Sequence, residues 1–117
     1  FPNKEGGKAD AHLAKAYNLL GLLQMRIGLF GAAADSFRIA TSLDGTKLEQ
    51  DTIALNCAYA AERRGNIKEA IELYHKLIST EAFSRNGNSA STWLQLQTAM
   101  GLARCHLYSK QTSETMK

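Results

Sequence analysis

The side chains able to do chemistry in this 117-residue chain are few and scattered. His12, His75 and His106 could ligate a metal or carry a proton, and Cys57 and Cys105 could act as nucleophiles or thiolate ligands. A zinc or catalytic centre needs such groups at a spacing that lets them converge on one point. None of the three histidines is read as part of a triad or metal site. Cys105 and His106 are adjacent, so on a helix they point about 100° apart and cannot share one ion. Neither cysteine has the Cys-x2-Cys spacing of a zinc or redox site. Glu69 and Glu72 alternate with Lys68 and Lys76, as on a solvated helix surface. A P-loop, a Gly-rich dinucleotide turn and a Ser elbow are absent from the sequence. The residues predict no enzyme, no metal and no cofactor, so function is expected in a surface.

Composition narrows what could carry such a surface. A 44% hydrophobic, 21% charged chain of this length is one domain with enough apolar residues for a core. The one proline, Pro2, stands at the start, while Ala and Leu abound, which predicts an all-α fold. No apolar run is long enough to span a membrane and no signal-peptide pattern opens the chain. The net charge of +3 is spread among interleaved acidic residues, and Arg63-Arg64 follows Glu62 directly. That pattern reads as a solvated face rather than a nucleic-acid footprint, although the pI of 9.0 keeps an RNA-associated role in view. Two cysteines within helical segments read as reduced core thiols, pointing to a cytoplasmic or otherwise intracellular protein. Opening on Phe1-Pro2-Asn3 without a methionine, the chain reads as an excised piece of something longer.

Residues 1–9, with Gly6-Gly7 and no apolar periodicity, read as a flexible leader. Asp10 is the expected N-cap of a helix running to about Arg26, ended by Gly28. A second helix is expected over Phe30–Leu43, broken by Asp44-Gly45. Thr46 and Glu49 form a Thr-x2-Glu capping box for a third helix that runs to Arg64 and stops at Gly65-Asn66. A fourth helix should cover Ile67–Ala82. Ser84–Ser89, made of turn formers, is the expected internal loop, followed by a fifth helix over Ser91–Tyr108. Residues 110–117 read as a polar, flexible tail. The domain proper is then 10–109.

These segments repeat. Tyr17-x2-Leu20-Gly21, Gly28 and Ala33-x3-Phe37-x2-Ala40 return 37 residues later as Ala54-x2-Cys57-Ala58, Gly65 and Ala70-x3-Tyr74-x2-Leu77. Small residues at Gly21, Ala33, Ala58 and Ala70 suit a close helix crossing. Tyr17, Leu20, Phe37, Cys57, Tyr74 and Leu77 lie on one face of their helices and should fill the core. The pattern resembles the tetratricopeptide repeat, over units 14–47 and 51–84 and a half unit at 91–109 in which Met100-Gly101 stands as the Leu-Gly pair. The proline that usually closes a unit is missing, with Gly45 and Ser84 standing there, and the spacing stretches to 43 residues between Ala58 and Gly101. The resemblance implies a helical-hairpin α-solenoid of five helices, two full repeats plus a third first helix.

It also implies a function. Arrays of this kind stack their first helices along a concave groove that docks a peptide or helix of a partner protein. Groove positions would be Lys15, Asn18, Leu19, Leu22, Met25 and Arg26 on the first helix. On the third they would be Thr52, Leu55, Asn56, Tyr59, Glu62 and Arg63, and on the fifth Gln95, Thr98, Leu102, Cys105 and His106. Leu19, Leu22, Met25, Leu55, Tyr59 and Leu102 form an apolar floor in this reading, rimmed by Lys15, Arg26 and Arg63. Members that bind the C-terminal carboxylate of heat-shock chaperones use a clamp of cations and amides. At those positions this chain has Asn18, Leu22, Asn56, Gln95 and Ala99, and only Asn56 fits, so that role is not expected. The fifth helix carries two apolar stripes, one through Trp93, Leu96, Met100, Ala103 and Leu107. It is therefore expected to meet further repeats, a partner or its own copy. The expected function is a non-catalytic interaction scaffold in a multi-subunit assembly, with an RNA-associated repeat and a dimerising module as alternatives.

Overall fold

The computed structural model describes residues 4–43, 47–78 and 89–115. Every element among them is a helix: α1 (Lys4–Arg26), α2 (Phe30–Ser42), α3 (Lys47–Arg64), α4 (Ile67–Ile78) and α5 (Ser89–Thr115). The all-α expectation holds, with five helices among the described residues. Thr46 of the expected capping box and residues 79–88, with most of the expected loop, lie outside them.

The ends differ from expectation. Residues 4–9, read above as a leader, belong to α1, and Asp10 lies inside the helix rather than capping it. Residues 110–115 likewise continue α5 instead of forming a tail, and α5 already includes Ser89. Gly6 and Gly7 each disfavour helix by about 1 kcal/mol, but extending an anchored helix avoids the nucleation cost that a free segment meets.

Where α1 and α3 end, the backbone repeats atom for atom. Gly28 and Gly65 sit at φ +85° and +96°, in the left-handed region. The Gly28 amide donates to Met25 O at 3.2 Å and the Leu29 amide to Gln24 O at 2.8 Å. Thirty-seven residues on, Gly65 donates to Glu62 O at 3.1 Å and Asn66 to Ala61 O at 2.9 Å. This is one Schellman closure used twice, and it satisfies carbonyls that a helix end would leave bare. The next helix then starts identically, with Ala33 N donating to Leu29 O and Ala70 N to Asn66 O. At the second start Asn66 also accepts from the Glu69 amide at 3.4 Å and donates to its carboxylate at 2.7 Å, an N-terminal box that Leu29 cannot make.

Each helix packs on the next in order, while α1 touches α3 and α3 touches α5 more lightly. The result is two layers, α1–α3–α5 and α2–α4, within 58 × 34 × 22 Å. Two apolar clusters hold the layers. In the first, Ala33, Ala34, Phe37 and Ala40 of α2 meet Ile53, Cys57 and Ala60 of α3, with Tyr17 and Met25 half-buried beside them. In the second, Leu55, Ala58 and Ala61 of α3 meet Ala70, Tyr74 and Leu77 of α4 and Leu94 and Cys105 of α5. Phe37 and Tyr74 are fully buried. Each ring is seated on a glycine. A Cβ on Gly21 would stand 2.5 Å from the Phe37 ring, and one on Gly101 would overlap the Tyr74 ring.

Leu20 departs from its expected core role, being exposed although its counterpart Cys57 is buried under α2. The face that α3 turns to α2 is Ile53, Cys57 and Ala60. On α1 the same face carries Leu20, and no described helix lies over it.

The seating of Tyr74 sets the rotation of α5. Its buried face is Leu94, Thr98, Gly101 and Cys105, spaced like the face Ile53, Cys57 and Ala60 of α3. Gly101 is thus the counterpart of Ala60, 41 residues on, and not of Ala58. The expected alignment through Met100-Gly101 was therefore rotated by about two residues, or about 200° around the helix.

Candidate functional site

Because α3 and α5 touch lightly, a cleft of about 220 Å³ opens between them. Leu55, Asn56 and Tyr59 line it from α3 and Trp93, Gln97 and Arg104 from α5, with Tyr74 also in its wall. The 41-residue register explains the match across the cleft, since Gln97 stands level with Asn56 and Arg104 with Arg63. Tyr59 and Trp93 are exposed, offering two amphipathic rings beside two amides. Asn56 reaches the other way too, donating from Nδ2 to Asn18 Oδ1 at 3.0 Å, which ties α3 to α1.

Beside the cleft lies a buried carboxylate. Glu62 accepts from the Tyr74 hydroxyl at 2.9 Å and from Arg104 Nε at 2.7 Å and Nη2 at 3.0 Å. The bidentate fork makes this a charge-assisted pair, and it joins α3, α4 and α5 at one point. The Arg104 guanidinium also lies 5.5 Å from the Tyr59 ring centroid, which orients the ring at the cleft mouth. The hydrogen bonds that Arg104 donates to Glu62 raise its pKa still further, so it stays charged. Burial, reinforced by Glu62, pushes the Tyr74 hydroxyl well above its ordinary range. The Cys105 thiol is pushed up to about 11 from 9.0, first by burial and then by the Glu62 charge.

These shifts predict a pH dependence. The native state holds the Cys105 and Tyr74 protons more tightly than the unfolded chain does. The Cys105 contribution is therefore complete below about pH 9 and is lost as pH rises through about 11, while that of Tyr74 only begins to be lost above its ordinary value of 10.0. Urea midpoints taken across that window should fall, and should fall less in Cys105→Ala and in Tyr74→Phe. A midpoint independent of pH there would refute the assignment.

The expected groove residues divide. Lys15, Leu19, Leu22 and Arg26 are exposed on α1, and Asn18, Asn56 and Tyr59 are brought together by the Asn18–Asn56 bond and the cleft. Met25 is half-buried against the first core cluster. Leu55 is a core residue whose edge alone meets the cleft, so it is no open floor. Arg63 is exposed but lies over the Phe30 ring, 5.2 Å from its centroid, at the α1–α2 junction. Glu62 is buried in its ion pair rather than presented to a ligand.

On α5 four of the five expected residues are turned away from the cleft. Thr98 and Cys105 are fully buried, Thr98 donating to Leu94 O at 2.7 Å. Leu102 packs against the second core cluster. His106 is exposed but turns to His75 of α4, with ring centroids 6.4 Å apart. The physical cause is the rotation that seats Gly101 on Tyr74. Trp93, Gln97 and Arg104 come to the cleft in place of the expected residues. The signal that finds them is the 4-3-4 spacing of Leu94, Thr98, Gly101 and Cys105, which outranks the Met100-Gly101 pair.

Among the described residues no group of three or more His, Cys, Asp or Glu side chains could hold a metal ion. No helix among them is long and apolar enough to cross a membrane. No family model matches the chain, and no curated protein and no solved structure matches it either.

Proposed function

We propose that the chain is a tetratricopeptide-type array of two units and a third first helix, acting as a non-catalytic protein-interaction module. A segment of a partner polypeptide lies across the α1–α3–α5 face, and one of its side chains enters the cleft between α3 and α5. The observation that carries this reading is the cleft itself. Exposed Tyr59 and Trp93 offer apolar area, and Asn56 and Gln97 offer donors and acceptors to a peptide backbone. The repeated Schellman closures support the array. A polyanion such as RNA is the weaker reading, because Arg104 is committed to Glu62 and Arg63 lies over Phe30.

Peptides selected from a random display library against this chain test the proposal. They should bind with a change in the emission of Trp93, the only tryptophan. Trp93→Ala should weaken them by about tenfold or more while leaving the melting temperature unchanged, since the ring is at the surface. Selected peptides that bind Trp93→Ala and Gln97→Ala as well as the parent would rule the cleft out.

A further inference from the structure

A second surface stands apart from the cleft. Leu13, Ala16, Leu20, Leu23 and Ile27 run at 3-4-3-4 spacing along the side of α1 away from α2, Ile27 in the closing turn. The four large members are 46, 42, 56 and 63% exposed in that order. The opposite side of α1 is occupied by Ala14, Tyr17 and Gly21, and the α3 side carries Leu19 and Leu22. A continuous stripe of large aliphatic side chains left this exposed is built to be covered.

The repeat says what kind of cover does not fit. On α3 and α5 the same face receives the ring of Phe37 or Tyr74, and it does so with small groups, Cys57 and Ala60 or Thr98 and Gly101. On α1 those positions are Leu20 and Leu23, which leave no seat for a ring. The stripe instead has the spacing of a helix-to-helix seam. It is also self-complementary. Laid antiparallel on its own copy about Leu20, it sets Leu13 against Ile27 of the second copy and Ala16 against Leu23 of the second copy. Large thus meets small in the layers flanking the two-fold axis.

We infer that α1 forms an isologous, antiparallel dimer seam with a second copy of this chain. The seam spans about 21 Å of helix, at 1.5 Å per residue. A single helix-to-helix contact of that length stands near the lower limit of stable interfaces, about 1,200 Å² in total, and the dimer is expected in the micromolar range.

Sedimentation velocity on the full chain, carried into the high micromolar range, tests this. The expected result is a monomer–dimer equilibrium with nothing larger, whose dissociation constant rises at least tenfold in Leu20→Ser/Leu23→Ser. That variant should melt as the parent does at low concentration. Leu20→Cys should oxidise to a covalent dimer, because residue 20 meets its own copy at the axis, whereas Leu22→Cys on the α3 side should not. The native Cys57 and Cys105 are buried and give no background. A monomer at all concentrations, species larger than a dimer, or a dimer abolished by Met100→Ser/Leu107→Ser on α5 but not by the α1 variant overturns the inference. Equal cross-linking through positions 20 and 22 overturns it as well.

Discussion

Replacing Arg104 with leucine is expected to destabilise the protein by about 3 kcal/mol, toward the low end for breaking a buried ion pair. The Glu62 side chain is 4% exposed and Arg104 holds both of its oxygens. Without the guanidinium, a carboxylate remains among apolar groups with the Tyr74 hydroxyl as its partner from α4. The low end applies because Arg104 itself keeps a third of its side chain in solvent, so part of its charge was never desolvated. For a domain of this size such a loss lowers the melting temperature by roughly 10 °C or more. Thermal and urea unfolding of Arg104→Leu, Glu62→Leu and the double variant measure the effect. The double variant should recover most of the stability, because no charge is then stranded. Equal losses in Arg104→Leu and in the double variant would show that packing of the Arg104 stem, not the pair, is what matters.

Gly101→Leu should lose about 3 kcal/mol, the upper range for overpacking, by pushing α5 off α4. The sign is the informative part. Leucine is the better helix former by most of a kcal/mol, so a change governed by local propensity would stabilise α5. The tertiary structure predicts the reverse, since even a Cβ at 101 overlaps the Tyr74 ring. Tyr74→Ala is itself costly, by about 3–5 kcal/mol, because it empties a fully buried ring site. Combined with Gly101→Leu it should cost less than the two losses added, and a double-mutant cycle of urea midpoints reads that coupling. Strict additivity would mean that residues 74 and 101 do not meet.

The Arg104 and Gly101 predictions concern one joint, where α5 docks on α3 and α4. The proposed cleft is a by-product of that joint. Glu62 draws Arg104 inward, Arg104 holds Tyr59, and the seat of Tyr74 on Gly101 turns Trp93 and Gln97 toward α3. Whatever loosens the joint is therefore expected to spoil the cleft, while Trp93→Ala at its rim leaves the joint alone.

Much of this was legible in the order of the residues. Glycine at 28 and 65 and the Ala-x3-aromatic stripes at 33–37 and 70–74 mark where helices stop and where they cross. These are local matters, in which a missing Cβ or a bulky ring has one physical use, so the helix hairpins and most of the core follow from spacing alone. The extent of α1 and α5 was not legible. Polar or glycine-bearing ends look like loops until an anchored helix carries them along. The rotation of α5 was not legible either. Met100-Gly101 and the stripe Leu94-x3-Thr98-x2-Gly101 are both credible faces, and only the Tyr74 ring arriving from α4 decides between them. The same holds for Glu62. Its neighbours in sequence, Arg63 and Arg64, suggest a surface pair, whereas its partner Arg104 lies 42 positions away and is brought in by the fold. Sequence by itself determined the repeating unit, because short-range sterics and helical periodicity are written into residue type. Tertiary structure decided which side of each helix is buried and which is left open, because that depends on long-range packing that no local spacing contains.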